Sequence, residues 1–115
     1  MMEYTLKLSH IFEQQYIEHR NSGRTKVLEK INKLLLELST SPRKGTGKPE
    51  RLKDVDKIDL TLDPQEIHIW SRRITDEHRL VYRIYDEAQP IFVMLCWGHY
   101  TDLKKFYGFE FLFED

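Results

Sequence analysis

Apolar and polar residues alternate with a period of two near the start of the chain, and three runs of its second half have the composition of strands. The first alternation covers residues 4–9 and predicts a short, half-buried strand. The later runs, at 67–74, 78–87 and 90–100, are rich in β-branched and aromatic residues and are separated by short turns. Because short connections require antiparallel neighbours, these three runs are expected to form a meander.

Two other stretches place apolar residues three or four positions apart, which is typical of an amphipathic helix. The first covers residues 10–19 and is followed by the turn-forming residues Asn21, Ser22 and Gly23. The second is the clearest element of the chain, with apolar positions at Val27, Leu28, Ile31, Leu34, Leu35 and Leu38. A stripe with this spacing indicates core packing, so we assign it no chemistry.

The middle of the chain lacks any period. Residues 41–57 are rich in Gly, Pro and Lys, which predicts a basic loop, and residues 58–66 form an acidic connection. One short strand, two helices and a meander predict an α+β domain, with both helices packed on one face of an antiparallel sheet of about four strands. The other face is expected to be free for a substrate.

The length of 115 residues predicts one domain over 1–115. Its last part, 101–115, carries five aromatic residues and is expected to cover apolar surface on this chain or on a partner. The start of the chain does not resemble a secretion signal, and no apolar run is long enough to cross a bilayer, so we expect a cytoplasmic protein. The single cysteine, Cys96, lies in an apolar run, which favours burial over reactivity.

The formal net charge of −1 hides a segregation of charge along the chain. Residues 20–57 contain eleven Lys or Arg against five Asp or Glu, a local charge of +6. A basic segment of this kind suggests a polyanionic partner such as RNA, because lysine and arginine displace counterions from phosphates. A solvated basic helix face is the alternative interpretation.

No metal site or cofactor is expected. The five histidines lie at positions 10, 19, 68, 78 and 99, and no two of them have the spacing of a recognised ligand motif. The sequence Gly45-Thr46-Gly47-Lys48 is too short for a phosphate-binding loop and lacks the hydroxyl that should follow the lysine.

Three features could together carry acid-base chemistry on a phosphate. Glu50 lies in a basic loop that would hold it ionised, so it could accept a proton. Arginines at positions 72, 73, 79 and 83 lie in predicted strands and could bind a phosphate. His99 could donate or accept a proton, and Tyr100 could stack on a base. Each alone has an ordinary alternative: a surface glutamate, cross-strand ion pairs, and a histidine that caps a strand.

Taken together, four segments resemble the YoeB/Txe family of the RelE/ParE toxin superfamily. They are KIN at 30–32, GTGKPERLK at 45–53, WSRRITDEHRLVY at 70–82 and GHY at 98–100. The resemblance covers about residues 4–100. It implies the RelE-like fold, a twisted antiparallel sheet with two N-terminal helices, and a toxin that cuts mRNA in the ribosomal A site without a metal.

The resemblance also implies roles for individual residues. Glu50 would deprotonate the ribose 2′-hydroxyl, and His99 would protonate the leaving 5′-oxygen. Arg79, with Arg73, would neutralise the charge that develops on the phosphate, and Lys53 and Tyr100 would position the RNA. The other RNA-binding candidates are Lys48, Arg72 and Arg73.

The partners implied are mRNA on the ribosome and an antitoxin of the YefM/Phd type, and a homodimer is a further expected assembly. The connection 54–69 and the tail 101–115 are longer than in the family pattern. The length of the turn before Arg79 decides whether Arg73 shares its face of the sheet, which the sequence leaves open. The alternatives from another class are a non-catalytic module, either a ParE-like gyrase poison or an inactive toxin, and a general RNA-binding domain.

Overall fold

The structure is a computed structural model, and it describes residues 4–51, 68–84 and 90–98. Two helices and five strands follow in the order β1 (Leu6–Leu8), α1 (His10–Asn21), α2 (Thr25–Leu38), β2 (Glu50–Arg51), β3 (His68–Arg73), β4 (Arg79–Ile84) and β5 (Ile91–Leu95). This is an α+β fold, as the sequence predicted. The tail 101–115, residues 54–67 of the connection 54–69, and the residues Lys53, His99 and Tyr100 lie outside the described residues.

The five strands form one sheet in the order β1-β5-β4-β3-β2. The meander of β3, β4 and β5 is antiparallel, which confirms the prediction from the short turns. Strand β1 instead pairs in parallel with β5, so the sheet is mixed and not wholly antiparallel. The strand that sequence analysis missed is β2, which lies in the predicted loop and is too short to show a period.

Ser9 explains where α1 begins and how the helix is joined to the sheet. Its hydroxyl accepts a hydrogen bond from the Phe12 backbone N–H, the usual role of a serine at a helix N-cap. The same hydroxyl donates to the carbonyl of Met94 in the sheet, over 2.7 Å. The first turn of α1 is therefore attached directly to the last strand.

The helices pack against one face of the sheet, as predicted. Strand β4 directs Leu80, Tyr82 and Ile84 to that face, and Ile31 and Leu34 of α2 are completely buried against it. Close packing makes such positions sensitive, and truncating either α2 residue to alanine should cost about 2–5 kcal/mol. The other members of the cluster are Phe12, Leu38, Ile74, Ile91, Val93 and Cys96.

The opposite face is not free along the middle of the sheet, so the expectation of an open substrate surface there is wrong. Val81, Arg83 and Phe92 have at most 3% of their surface exposed. The guanidinium of Arg83 lies over the ring of Phe92, 4.8 Å from its centre, which makes it part of the packing. Among the described residues of this face, the accessible arginine side chains lie at the ends of β3 and β4, at Arg73 and Arg79.

Cys96 is completely buried at the end of β5. Burial raises the pKa of its thiol to about 12, so the thiolate is not formed near neutral pH. The prediction of a buried, unreactive cysteine is confirmed. Among the described residues no helix is long and apolar enough to span a membrane.

Candidate active site

The loop between α2 and β2 has a backbone that depends on its glycines. Gly45 and Gly47 have φ angles of 128° and 85°, values that residues with a side chain rarely adopt. A Cβ at Gly47 would also lie 2.8 Å from the carbonyl oxygen of Arg73, because the loop runs against the end of β3 there. The Arg73 N–H donates to the Gly47 carbonyl over 2.6 Å, which fixes the loop to the strand.

Arg72 holds this loop from beneath. Its side chain is completely buried on the helix side of the sheet, and its five N–H donors match five described hydrogen bonds. Nη1 donates to the Glu37 carboxylate of α2 at 3.0 Å and to a loop carbonyl, and Nε donates to the Tyr82 hydroxyl at 3.1 Å. The loop carbonyls that accept from Nη1 and Nη2 belong to Ser41, Lys44 and Thr46.

The acceptors around Arg72 are themselves held in place. Burial raises the pKa of Glu37, but hydrogen bonds from Thr46 and the charge of Arg72 outweigh it, so that pKa lies below its ordinary value. The Tyr82 hydroxyl donates to the carbonyl of Pro42 over 2.8 Å. Burial raises the pKa of Tyr82, so its hydroxyl keeps the proton that it donates. The prediction that Arg72 binds RNA is therefore wrong, because the N–H donors of its guanidinium are all used in hydrogen bonds within the protein.

The loop delivers Glu50 to the edge of the sheet. Glu50 is directly opposite Ser71 in the pairing of β2 with β3, and its side chain is exposed. Side chains alternate between faces along a strand, so Arg73, two residues beyond Ser71, shares the face of Glu50. Diagonal neighbours of this kind are about 7–8 Å apart.

The pairing of β3 with β4 settles the position of the second arginine. Arg73 is directly opposite Arg79, so both arginines lie on the Glu50 face. Opposite residues carry their Cβ atoms about 5 Å apart, and like charges placed there repel. An anion bound between them would relieve that repulsion. Arg73 is exposed and Arg79 is half-buried, so this end of the sheet is accessible.

The guanidinium of Arg79 is held by the turn that precedes β4. Its Nη1 donates to the carbonyls of Thr75, Asp76 and His78, at 2.6, 3.2 and 3.2 Å. These are all the hydrogen bonds of that side chain to the described residues. Anchoring one nitrogen restricts the rotation of the whole group, which suits a cation that must stand ready for a developing negative charge.

Gly98, the last described residue, meets Arg79 through the backbone. Its carbonyl accepts from the Arg79 N–H over 2.9 Å, and its φ angle is 78°. Because His99 follows directly in the chain, this hydrogen bond brings the end of the described chain beside Arg79. The predicted roles of His99, Tyr100 and Lys53 fall on residues outside the described part and stay predictions.

A model of the YoeB-like toxin of bacterial type II toxin-antitoxin systems matches residues 10–100. The chain belongs to this YoeB-like toxin family. It is 43% identical to the toxin YoeB of Streptomyces coelicolor over 78 residues, which are 68% of this chain and 80% of that protein. It is 39% identical to the YoeB of Escherichia coli K12 over 75 residues, 65% of this chain and 75% of that one.

Solved structures of YoeB-like toxins have the same fold. A YoeB/ParE toxin from Agrobacterium tumefaciens superposes with a TM-score of 0.65 at 34% identity, covering 84% of this chain and 99% of that one. A YoeB-YefM complex from Staphylococcus aureus gives a TM-score of 0.61 at 31% identity, with 84% and 98% covered. A YoeB dimer from the same organism gives 0.62 at 30%, with 85% and 99% covered. The toxin family and the fold class predicted from the sequence are thus confirmed.

Sequence reasoning missed the residues that support the site. Glu37 was given no role, and His78 was named only among the five histidines and within a motif. Each is a single polar residue whose partner lies far along the chain, at Arg72 and Gly98 respectively. The available signal was indirect: a polar residue such as Arg72 within an otherwise apolar strand needs a buried partner elsewhere in the chain. Within residues 4–51, 68–84 and 90–98, no three His, Cys, Asp or Glu side chains are grouped so as to hold a metal ion.

Proposed function

We propose that this YoeB-like toxin is a ribosome-dependent endoribonuclease that cuts mRNA in the A site without a metal ion. The observation that carries the proposal is the shared face of Glu50, Arg73 and Arg79, fixed by strand register. This arrangement offers a proton acceptor and two cations at an accessible end of the sheet. A ribosomal substrate also implies a cytoplasmic location.

The reaction that suits these groups is transesterification within the RNA. Glu50 accepts the proton of a ribose 2′-hydroxyl as that oxygen attacks the adjacent phosphorus. The bond from phosphorus to the 5′-oxygen of the next nucleotide then breaks, and His99 donates a proton to that oxygen. The products are a 2′,3′-cyclic phosphate and a 5′-hydroxyl. Each proton transfer contributes about 10²- to 10⁴-fold to the rate.

The two arginines stabilise the charge of the transition state. Strands are about 4.8 Å apart and advance about 3.4 Å per residue, so the Cα atoms of Glu50 and Arg79 lie about 12 Å apart. That separation leaves room for a phosphodiester between the two side chains. Removing Arg79 should cost about 10²- to 10³-fold in rate, by comparison with the loss of an oxyanion donor.

Three further residues are proposed to bind the RNA: Lys48, Lys53 and Tyr100. Lys48 is exposed two residues before Glu50, and its φ of 51° turns the chain there. Since lysine binds phosphate as a point charge, it contributes affinity without dictating sequence.

The partners follow from the relatives and from the charge pattern. The family belongs to toxin-antitoxin systems, and a Staphylococcus aureus relative was solved as a YoeB-YefM complex. We infer that an antitoxin of the YefM/Phd type binds this chain and that its disordered acidic segment folds against the basic residues of 20–57. Dimerisation is inferred from the relative solved as a dimer.

The proposal is tested by translation in vitro with primer extension on the mRNA. The wild-type protein should produce cuts only on ribosome-bound mRNA, and Glu50→Gln, Arg79→Met and His99→Ala should not. Glu13→Gln, on the exposed side of α1, is the matched control for loss of a carboxylate. Inhibition without any cut by all of these proteins would instead support a non-catalytic binding module.

A further inference from the structure

Beside the proposed active site lies a cluster of four side chains for which the reaction gives no role. It consists of His19 of α1, Arg24 between the helices, His78 in the turn before β4, and Trp97 after β5. The two imidazole rings are 4.9 Å apart in an edge-on arrangement. Trp97 stacks on His19 at 4.5 Å and lies 5.0 Å from His78, with the Arg24 guanidinium 4.6 Å from its ring centre.

The hydrogen bonds define the protonation of His19. Its Nε2 lies 3.0 Å from the Cys96 carbonyl oxygen, which can only accept, so Nε2 carries a hydrogen. Its Nδ1 lies 3.3 Å from Nη1 of Arg24, which can only donate, so Nδ1 carries none. His19 is therefore neutral, and it presents a fixed ring to its neighbour His78.

His78 uses its Nδ1 as an acceptor for the backbone. The Gly98 N–H donates to that nitrogen over 3.0 Å, which requires Nδ1 to be unprotonated. The carbonyl of the same glycine accepts from the N–H of Arg79. Two successive residues, His78 at the end of the turn and Arg79 at the start of β4, thus hold both polar backbone groups of Gly98, the residue that immediately precedes His99.

We propose that His78 is a positioning residue: its neutral imidazole, backed by His19, fixes the backbone of Gly98, the residue from which the chain continues to His99. This role rests on the proposed function, in which His99 is the general acid. Arg79 is joined to the same unit, because its Nη1 donates to the His78 carbonyl. Arg79 and Gly98, the residue before the proposed general acid, thereby share one support.

Protonation of His78 at Nδ1 would break its hydrogen bond with the Gly98 N–H. A hydrogen on Nδ1 would face the Gly98 N–H, so an attraction between donor and acceptor would become a repulsion between two donors. The groups that face the ring are His19 from α1, Arg24 from the helix connection, and Glu77 from its own turn, whose carboxylate is 4.0 Å away. Burial, as the largest cause, lowers the pKa of His78, and so do the repulsion that a protonated His19 would exert and the charge of Arg24, against the opposing effect of Glu77.

The sign of the pH effect follows. Above its pKa His78 is neutral and holds Gly98, and below it the imidazolium releases Gly98. The rate of cleavage should therefore decline as the pH falls through the pKa of His78, because Nδ1 must be unprotonated to accept from Gly98.

Two substitutions distinguish the role of His78 as a hydrogen-bond acceptor from the role of its ring in packing. In His78→Asn, the side-chain oxygen lies close to the position of Nδ1 and accepts from Gly98, but it does not titrate. In His78→Leu, a similar volume is filled without an acceptor. Val27→Ala, remote on α2 and partly buried against the core, serves as a control for lost stability alone.

The measurements are single-turnover cleavage of mRNA on programmed ribosomes over a pH series, and the NMR shift of the Gly98 amide in the free protein. His78→Leu should lower kcat by about 10- to 100-fold with little change in KM, as expected for a misplaced catalytic group. His78→Asn should keep most of the activity and lose the decline caused by His78. The Gly98 amide should titrate in the wild type and not in His78→Asn.

The outcomes separate the two proposals. If the wild type cuts mRNA and His78→Leu keeps its kcat, or if His78→Asn is folded but as inactive as His78→Leu, the positioning role is wrong and the proposed function stands. If the wild type makes no ribosome-dependent cut, the proposed function itself fails, and the positioning role fails with it. A wild-type Gly98 amide that does not respond to pH also overturns the role.

Discussion

The guanidinium of Arg72 and the carboxylate of Glu37 form an ion pair 3.0 Å long beneath the loop that leads to Glu50. Arg72 is completely buried, whereas Arg73, the next residue, is exposed and faces the other side of the sheet. Two adjacent arginines thus have different tasks. The first holds the loop, and the second is available to a phosphate.

These tasks predict opposite phenotypes for the two arginines. Arg72→Met leaves the Glu37 carboxylate and the loop carbonyls without their donor, so it should lower the free energy of unfolding by about 3 kcal/mol or more. Arg73→Met should change it by only about 0.5 kcal/mol, as exposed substitutions do, while it lowers cleavage. Urea unfolding monitored by tryptophan fluorescence measures the first quantity. Equal stability of the two variants would contradict the assignment.

The loop glycines give a second pair of variants. Gly47→Ala forces a side chain into a φ of 85° and against the Arg73 carbonyl, whereas Gly23→Ala has a φ of 72° but open space around it. Left-handed backbone alone costs about 1–2 kcal/mol, so Gly23→Ala should lose that amount of unfolding free energy. Gly47→Ala should lose more, and its cleavage rate should fall because Glu50 moves. Equal losses for both variants would mean that the loop does not press against β3.

The difference between fold and site shows what the sequence could predict. The apolar period of α2, from Val27 to Leu38, and the alternation in β4 are patterns within a single element. Both elements could therefore be predicted from the sequence. Strand β2 is formed by pairing with β3 and not by any pattern of its own. The direction of Arg72 depended on the register between strands and on a distant partner, Glu37. Such long-range pairings are invisible in a single sequence, and for that reason Arg72 was grouped with Arg73 as a phosphate ligand.

His19, which is completely buried, and His78, which is half-buried, predict how stability changes with pH. Burial, as the largest cause, lowers the pKa values of His19 and His78 below the 6.5 of an unfolded chain. The unfolded state then binds more protons than the folded state below that value. The contribution of these histidines to stability is therefore complete above pH 6.5 and is lost as the pH falls below it.

Urea unfolding at a series of pH values measures this dependence. The double variant His19→Gln, His78→Asn replaces both rings with side chains that do not titrate, so its stability should change less between about pH 7 and pH 5 than that of the wild type. Equal slopes for the two proteins would show that neither histidine is responsible.

The opposed arginines predict that inorganic phosphate stabilises the free protein. Arg73 and Arg79 are partners across β3 and β4, and an anion between them relieves their repulsion. Phosphate should raise the midpoint of thermal unfolding more than chloride at equal ionic strength, and Arg73→Met should abolish the difference. Lys26→Met, on the exposed side of α2, controls for the loss of a positive charge elsewhere. An equal response of wild type and Arg73→Met would place any anion site elsewhere.

The most direct test of the proposed chemistry is the nature of the ends that the reaction leaves. Ribosomes are programmed with an mRNA that carries either a ribose or a single 2′-deoxyribose at the cut position, and the 5′ end of the downstream fragment is determined. Attack by the 2′-hydroxyl, with Glu50 as base, predicts a 5′-hydroxyl from the ribose substrate, no cut in the deoxy substrate, and a rate lowered by about 10²- to 10⁴-fold in Glu50→Gln. A 5′-phosphate, or efficient cleavage of the deoxy substrate, would contradict it.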